Sequence, residues 1–193
     1  MGESKRTNGT EAPETSGEQL LGLLRDIESR CLEYGVGLPQ EEIAEETWEG
    51  VLFSVAGCML VAPLDQIKEI LNYPTAITSV PGTKSWVRGV ANIRGNLLPI
   101  IDLQSFLLNR ATVPGRRSRV LVVKHEEVFT SLLVDQMVGI RHFRSSDLNE
   151  EPADIPDWLR NFVDISYRQG DEVWPVFNMH RLIDNANFQF AAA

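Results

Sequence analysis

The sequence predicts an all-β body, preceded by an amphipathic helix and closed by a short C-terminal helix. Three observations predict it. A helical apolar period marks the stretch before Trp48, and from Trp48 the period changes, with Val51, Phe53 and Val55 alternating with smaller or polar residues. Apolar, β-branched runs of strand length then follow one another to Phe177. Turn residues separate them at Gly57, Pro63, Pro81-Gly82, Pro114-Gly115, Pro152, Pro156 and Gly170-Asp171. Many short strands with turn signals between them argue a barrel or sandwich.

Residues 1–15 are rich in Gly, Ser, Thr and Glu and are expected to be disordered. Residues 16–47 form a helical acidic extension. Ser16 can cap a helix, with Gln19 completing a capping-box pattern. Leu20, Leu24, Ile27, Cys31 and Tyr34 recur at spacings of 4, 3, 4 and 3, which is one helical face, and Gly35 and Gly37 end it. The seam is too short to argue a coiled coil. It suits a helix packed on its own domain, or a docking or dimerisation helix. Pro39 to Glu46 can add a short acidic helix.

The body divides near Val113–Arg117 into two halves of about five strands. The expected boundaries are residues 48–115 for a first barrel and 116–177 for a second. The first half holds strands at Met59–Ala62, Leu64–Leu71, Val87–Arg94 and Leu97–Leu103, after the one from Trp48. The second holds Arg119–Lys124, Thr130–Asp135, Val138–Phe143, Phe162–Tyr167 and Glu172–Phe177. Asn178 caps a last helix over residues 178–185, and residues 186–193 read as a tail.

The formal charge of −9 is unevenly placed: residues 1–47 carry −7 and the rest −2. A nearly neutral body lacks the basic footprint of a nucleic-acid binder. No apolar run reaches the roughly 20 residues needed to span a bilayer, and the polar N-terminus is no signal peptide. Cys31 and Cys58 are isolated, as in a reduced cytoplasmic setting.

A search for chemistry finds little. His125, His142 and His180 are far apart and none has a metal-ligand spacing, so neither metal nor cofactor is expected. His125, beside Glu126 and Glu127, reads as a solvated loop residue. Pro81-Gly82-Thr83-Lys84-Ser85 lacks the leading Gly and the Gly-Lys pair of a phosphate loop. Arg116, Arg117 and Arg119 read as a solvated face or a partner rim. Asp102 and Asp135 each end a strand, where either can pair with an Arg or accept backbone hydrogen bonds. Nothing gives the two carboxylates a His or a nucleophile. A small all-β body with polar groups in apolar hairpins suits a binding module.

Residues 80–103 are the most informative stretch. Two apolar runs flank Gly95-Asn96, read as a two-residue hairpin turn, and they carry Asn92, Arg94 and Asp102. In order stand Val80-Pro81, Gly89-Val90-Ala91-Asn92-Ile93-Arg94-Gly95 and Pro99-Ile100-Ile101-Asp102-Leu103. This set resembles the signature of the CheW family of chemotaxis coupling proteins. Ile67-Lys68-Glu69-Ile70, Leu133 to Ile140 with Met137 in place of the usual Val, and Trp174 to Ile183 with Asn178 in place of a common Asp are similar to further family segments. The resemblance covers about Trp48 to Asp184. The N-terminal extension and the four tryptophans look like the branch of the family that serves type IV pilus (twitching motility) signalling.

The resemblance implies two SH3-like five-stranded β-barrels side by side within residues 48–185. It implies a non-catalytic, cytoplasmic adaptor recruited to membrane-associated receptor arrays. The implied partners are a CheA-type histidine kinase, met through that kinase's CheW-like regulatory domain, and the cytoplasmic tip of a methyl-accepting chemoreceptor. No nucleic acid and no direct membrane insertion are expected. Ile67, Glu69, Ile70, Gly89, Arg94 and Ile140 would belong to the receptor groove. For the isoleucines, and for Ile70 above all, ordinary core packing is the competing reading. Arg94 would contact the receptor or, as favoured, brace the groove by bonding loop carbonyls, since its planar head offers five donors. Gly89 would permit close approach of another chain or helix. Asn92, Gly95, Asp102 and Asp135 would be structural. A charged residue at Ile67 would then weaken coupling without unfolding the protein. A flagellar chemotaxis adaptor, a regulatory fragment of a histidine kinase or a CheW relative, and a small-molecule enzyme with an unrecognised site are the alternatives.

Overall fold

The computed structural model describes residues 17–33, 46–126, 128–149 and 154–191. The chain forms two compact units, Met1–Ala44 and Glu45–Ala193. The first unit contains helix α1 (Gly17–Glu33), in which Asp26 and Arg30 form an i,i+4 ion pair at 3.1 Å. The Ser16 cap, the terminating glycines and the acidic stretch 39–45 lie outside the described residues, as do residues 1–15.

The second unit is built on strands β1 (Thr47–Val55), β2 (Cys58–Pro63), β3 (Ile67–Asn72), β4 (Val87–Ile93) and β5 (Asn96–Asp102). Helix α2 (Leu103–Leu108) follows, then β6 (Arg119–His125), β7 (Val128–Val134) and β8 (Gln136–Arg144). The two-residue β9 (Leu148–Asn149), β10 (Val163–Gln169), β11 (Glu172–Phe177), α3 (Met179–Ile183) and α4 (Ala186–Gln189) complete it. The body is mostly β, in one sheet ordered β8-β1-β2-β11-β10-β9 and another ordered β3-β6-β7-β5-β4.

This order corrects the division into sequential halves. β1 and β2 do not join β3–β5; they sit with β8–β11. β1 pairs antiparallel with β8 along most of its length, and β2 meets β11 in parallel at Val61↔Val176. The transfer happens at Pro63, whose missing N–H ends the β2 ladder. A single 3₁₀ turn, Leu64–Gln66, then delivers the chain to β3 in the other sheet. The expected strand from Leu64 therefore starts at Ile67.

Most of β1 is buried on both faces, because the sheets pack through one shared core and each carries a smaller cluster behind it. Val51, Phe53 and Val55 face the shared core, where they join Leu121 and Val123 of β6 and Leu132 and Val134 of β7. Leu52 points the other way, to Val61, Phe143, Trp174 and Val176. Behind the five-stranded sheet lie Ala91, Ile100, Val120 and Leu133. The period of two is what lets alternate residues of one strand serve two clusters.

The presumed tail is structural. Asn185 caps α4 by accepting from Asn187 N–H, and the buried Phe188 stacks on Trp86 with ring centroids 5.6 Å apart. The Ala191 carbonyl accepts from Lys84 N–H at 2.9 Å. Residues 186–191 thus close the shared core rather than trailing from it.

Candidate functional site

The hairpin of β4 and β5 turns one residue earlier than Gly95-Asn96. Ile93 pairs with Asn96, so the turn is Arg94-Gly95, with φ of 52° and 85°. Two positive φ angles give the right-handed twist a two-residue hairpin needs. Gly95 adopts this freely, whereas Arg94 does so at a cost of order 1 kcal/mol. Asn92 Oδ1 accepts from Gly95 N–H at 2.9 Å and fixes the turn.

Among the described residues Arg94 bonds no loop carbonyl. Its guanidinium, with the side chain 77% exposed, meets Glu69 Oε1 at 2.7 Å. Glu69 lies on β3 and Arg94 directly follows β4, the opposite edges of one sheet. The ion pair therefore joins the two edges by side chains where no ladder joins them. Beneath it opens a groove of about 320 Å³, floored by Leu98, Val122 and Phe129 and flanked by Leu97, which is 72% exposed. Lys68 and Lys124 place their ammonium groups 4.8 and 5.5 Å from the Phe129 ring centroid. An apolar floor under a rim of paired charges fits the surface of another protein.

The other expected groove residues lie elsewhere. Ile67 is 6% exposed and belongs to the shared core, so a charge there breaks the core rather than a contact. Ile70 is half-buried against the same core. Ile140 is 49% exposed, but it stands on β8, the edge of the other sheet. Gly89 is buried at φ 133°, and a Cβ there would sit 2.2 Å from the Thr78 carbonyl oxygen. The backbone that approaches it is its own: Thr78 and Val90 exchange both N–H···O bonds at 2.8 Å. Leu97, Leu98 and Phe129 escaped the sequence reading because each also suits a strand core; in the fold Leu97 and Phe129 are exposed and Leu98 is half-buried.

Asp102 is fully buried and does both things open to a strand-end carboxylate. It caps α2 by accepting from Ser105 N–H at 3.0 Å, and it takes Thr112 N–H and Oγ1–H at 2.8 and 2.7 Å. Arg88 pairs with it at 2.7 Å and also donates to the Thr112 carbonyl. The cap starts a helix the pattern had not revealed. Asp135 is half-buried; its N–H donates to the Ser54 carbonyl at 3.0 Å, and among the described residues its carboxylate has no hydrogen-bond partner.

Among the described residues no cluster of three or more His, Cys, Asp or Glu side chains is placed to hold a metal ion. His125 is not a solvated loop residue: its ring stacks on His180 with centroids 4.1 Å apart, and Nε2 lies 3.4 Å from Asp184. Burial pushes the Cys58 thiol above its ordinary value. The Gln169 side-chain amide, with help from the Arg144 N–H and charge, holds the Asp147 carboxyl below the usual range. Among the described residues no helix is long and apolar enough to cross a membrane.

Comparison with known proteins gives this geometry a family. The CheW-like domain family matches residues 49–187. Protein PilI of Pseudomonas aeruginosa is 38% identical over 166 residues, 86% of this chain and 92% of its own. Chemotaxis protein CheW of Helicobacter pylori is 29% identical over 134 residues, covering 69% and 80% of the two chains. Protein FrzA of Myxococcus xanthus is 29% identical over 135 residues, 69% and 84%. The crystal structure of scaffolding protein TtCheW from Thermoanaerobacter tengcongensis shares the fold, with a TM-score of 0.63 at 21% identity over 73% of this chain and 95% of its own. The chain belongs to the CheW-like domain family.

Proposed function

We propose that this CheW-like chain is a non-catalytic adaptor that couples the cytoplasmic tip of a methyl-accepting chemoreceptor to a CheA-type histidine kinase, in a type IV pilus signalling system. It works in the cytoplasm, recruited to receptor arrays, and needs no cofactor. The observation that carries the reading is the open apolar groove under the Glu69–Arg94 pair, a surface shaped for a protein. Its similarity to PilI favours the pilus branch.

In this reading the receptor tip lays apolar side chains on Leu97, Leu98 and Phe129. Arg94 and Glu69 hold the rim and hydrogen-bond polar groups of the tip. Asp102 and Gly89 act at a distance, by fixing the strands that present the groove. Ile67 and Ile70 support it from the core, and Ile140 lies on a separate edge available to the kinase.

Co-purification of the tagged chain with its kinase and receptor tests the proposal. Wild type is expected to recover both. Arg94→Ala is expected to keep the kinase and lose receptor, with an unchanged melting curve. Normal recovery of both partners by that variant contradicts the groove assignment. Loss of twitching with swimming intact in a deletion strain supports the pilus branch, and the reverse supports a flagellar one.

A further inference from the structure

The six-stranded sheet carries a second groove, of about 670 Å³. Its walls are Trp48, Pro63, Leu64, Ile165 and Tyr167, with Glu49 and Asp65 at the rim and no Lys or Arg in its lining. The aromatic wall is built deliberately into the sheet. Trp48 stacks on Phe143 at 4.8 Å and meets Tyr167 edge-on at 5.2 Å. Gly50 makes the room, since a Cβ there would lie 2.9 Å from the Trp48 ring. Glu49 also meets His142 at 2.9 Å, which leaves Asp65 as the carboxylate without an ion-pair partner among the described residues. An aromatic groove with an acidic rim is the chemistry that takes a proline-bearing segment flanked by basic residues.

The same unit presents such a segment. No carboxylate stands between Asp102 and Glu126, and the loop before β6 reads Arg110-Ala111-Thr112-Val113-Pro114-Gly115-Arg116-Arg117. Thr112 is tied down by Asp102 and Arg88, yet Val113 beside it is 90% exposed. Beyond it, Gly115 N–H donates to Ser118 Oγ at 2.9 Å, and Arg119 donates to the Arg116 carbonyl at 3.0 Å. Arg110, Arg116 and Arg117 are all exposed. The loop is therefore a knob held at both ends, and little ordering entropy opposes its docking.

We propose that the Val113–Arg117 knob of one copy seats in the Trp48–Tyr167 groove of a second copy of this chain. Val113 and Pro114 lie against the aromatic and aliphatic wall, and Arg116 or Arg117 meets Asp65. Knob and groove are different surfaces, so the contact is heterologous, and a pair keeps one knob free on one copy and one groove free on the other. One knob in one groove is a small interface, and its charges are screened by salt. The contact is independent of which receptor or kinase the chain serves.

Sedimentation velocity on the full chain, up to about 1 mM at low salt, tests the idea. The knob variant is Val113→Asp with Arg117→Glu, and the groove variant is Asp65→Arg with Ile165→Arg. All four positions are at the surface, and melting curves check that both variants fold. Wild type is expected to gain mass with concentration and lose it at high salt. Each variant alone is expected to associate at least about tenfold more weakly. Their equimolar mixture keeps one intact knob and one intact groove, so it is expected to stop at a heterodimer. In that mixture the indole N–H resonance of Trp48 in the knob variant is expected to shift. A monomeric wild type, a variant that associates normally, or a mixture that stays monomeric or grows past two copies overturns the proposal. So does a knob that binds the kinase or receptor while the chain stays monomeric, which assigns it to a partner protein.

Discussion

Replacing Asp102 by Ala tests how the body is held together. The carboxylate, itself fully buried, accepts four hydrogen bonds, from Arg88 Nε, Ser105 N–H, Thr112 N–H and Thr112 Oγ1–H, and pairs with the Arg88 charge. Its removal deletes a helix cap, worth about 1 kcal/mol. It also strands the cation of a buried pair, for which about 3–5 kcal/mol is typical. The Arg88 side chain is 27% exposed and can turn partly to water, so the total falls near the lower figure, about 3 kcal/mol. That is a large share of the roughly 5–15 kcal/mol by which a domain is stable. Urea unfolding followed by circular dichroism reads it as a lower midpoint at an unchanged slope. Asp102→Asn keeps an acceptor oxygen and is expected to fall between wild type and Asp102→Ala. Amide exchange at Thr112 to Ser118 is expected to quicken in the Ala variant, because the loop loses its anchor. A loss under about 1 kcal/mol, or an Asn variant as unstable as the Ala variant, refutes this account of the network.

Ile67→Asp puts a charge into the shared core beside Val123 and is expected to cost more than about 4 kcal/mol, so that melting shows little folded protein; a normal melt contradicts the core placement. Phe188→Ala removes the ring stacked on Trp86 and is expected to cost about 3–5 kcal/mol, whereas a dispensable tail would show no change in urea. The Asp147 carboxyl titrates below the usual range, first because the Gln169 amide donates to it. Its folded pKa lies below the unfolded one, so its contribution is present above the unfolded pKa and disappears as pH falls through the folded one. Gln169→Ala is expected to raise that pKa toward the ordinary value in a carboxyl NMR titration, and an unmoved curve contradicts the cause.

The strands were legible in the sequence because apolar, β-branched runs bounded by turn residues are a local signal; β8 alternates in burial, whereas β1, β5, β6 and β11 are buried on both faces over part of their length. Their partition between sheets was not. β1 finds β8, and β2 finds β11, across more than a hundred residues in the latter case, and no local pattern encodes such a pairing. The hairpin turn was misplaced by one residue because Gly-Asn suits a tight turn as well as Arg-Gly does by composition. The register is decided by Ile93 opposite Asn96 and by Glu69 reaching across from β3. Asp102 was legible as a structural acceptor in kind, though not the helix it starts. Ile67 and Leu97 show the limit for the site. Both are aliphatic residues in strands, and only the fold reveals that the first faces the core and the second faces solvent.

Reconstitution of the kinase, the receptor tip and Leu97→Glu tests the central claim most directly. Leu97 is 72% exposed, so the substitution leaves the fold intact while placing a charge beside the apolar groove. The account predicts an unchanged melting curve, normal kinase binding, and loss of both receptor recovery and receptor-dependent phosphotransfer. A folded Leu97→Glu variant that assembles the ternary complex and supports phosphotransfer as wild type does contradicts it.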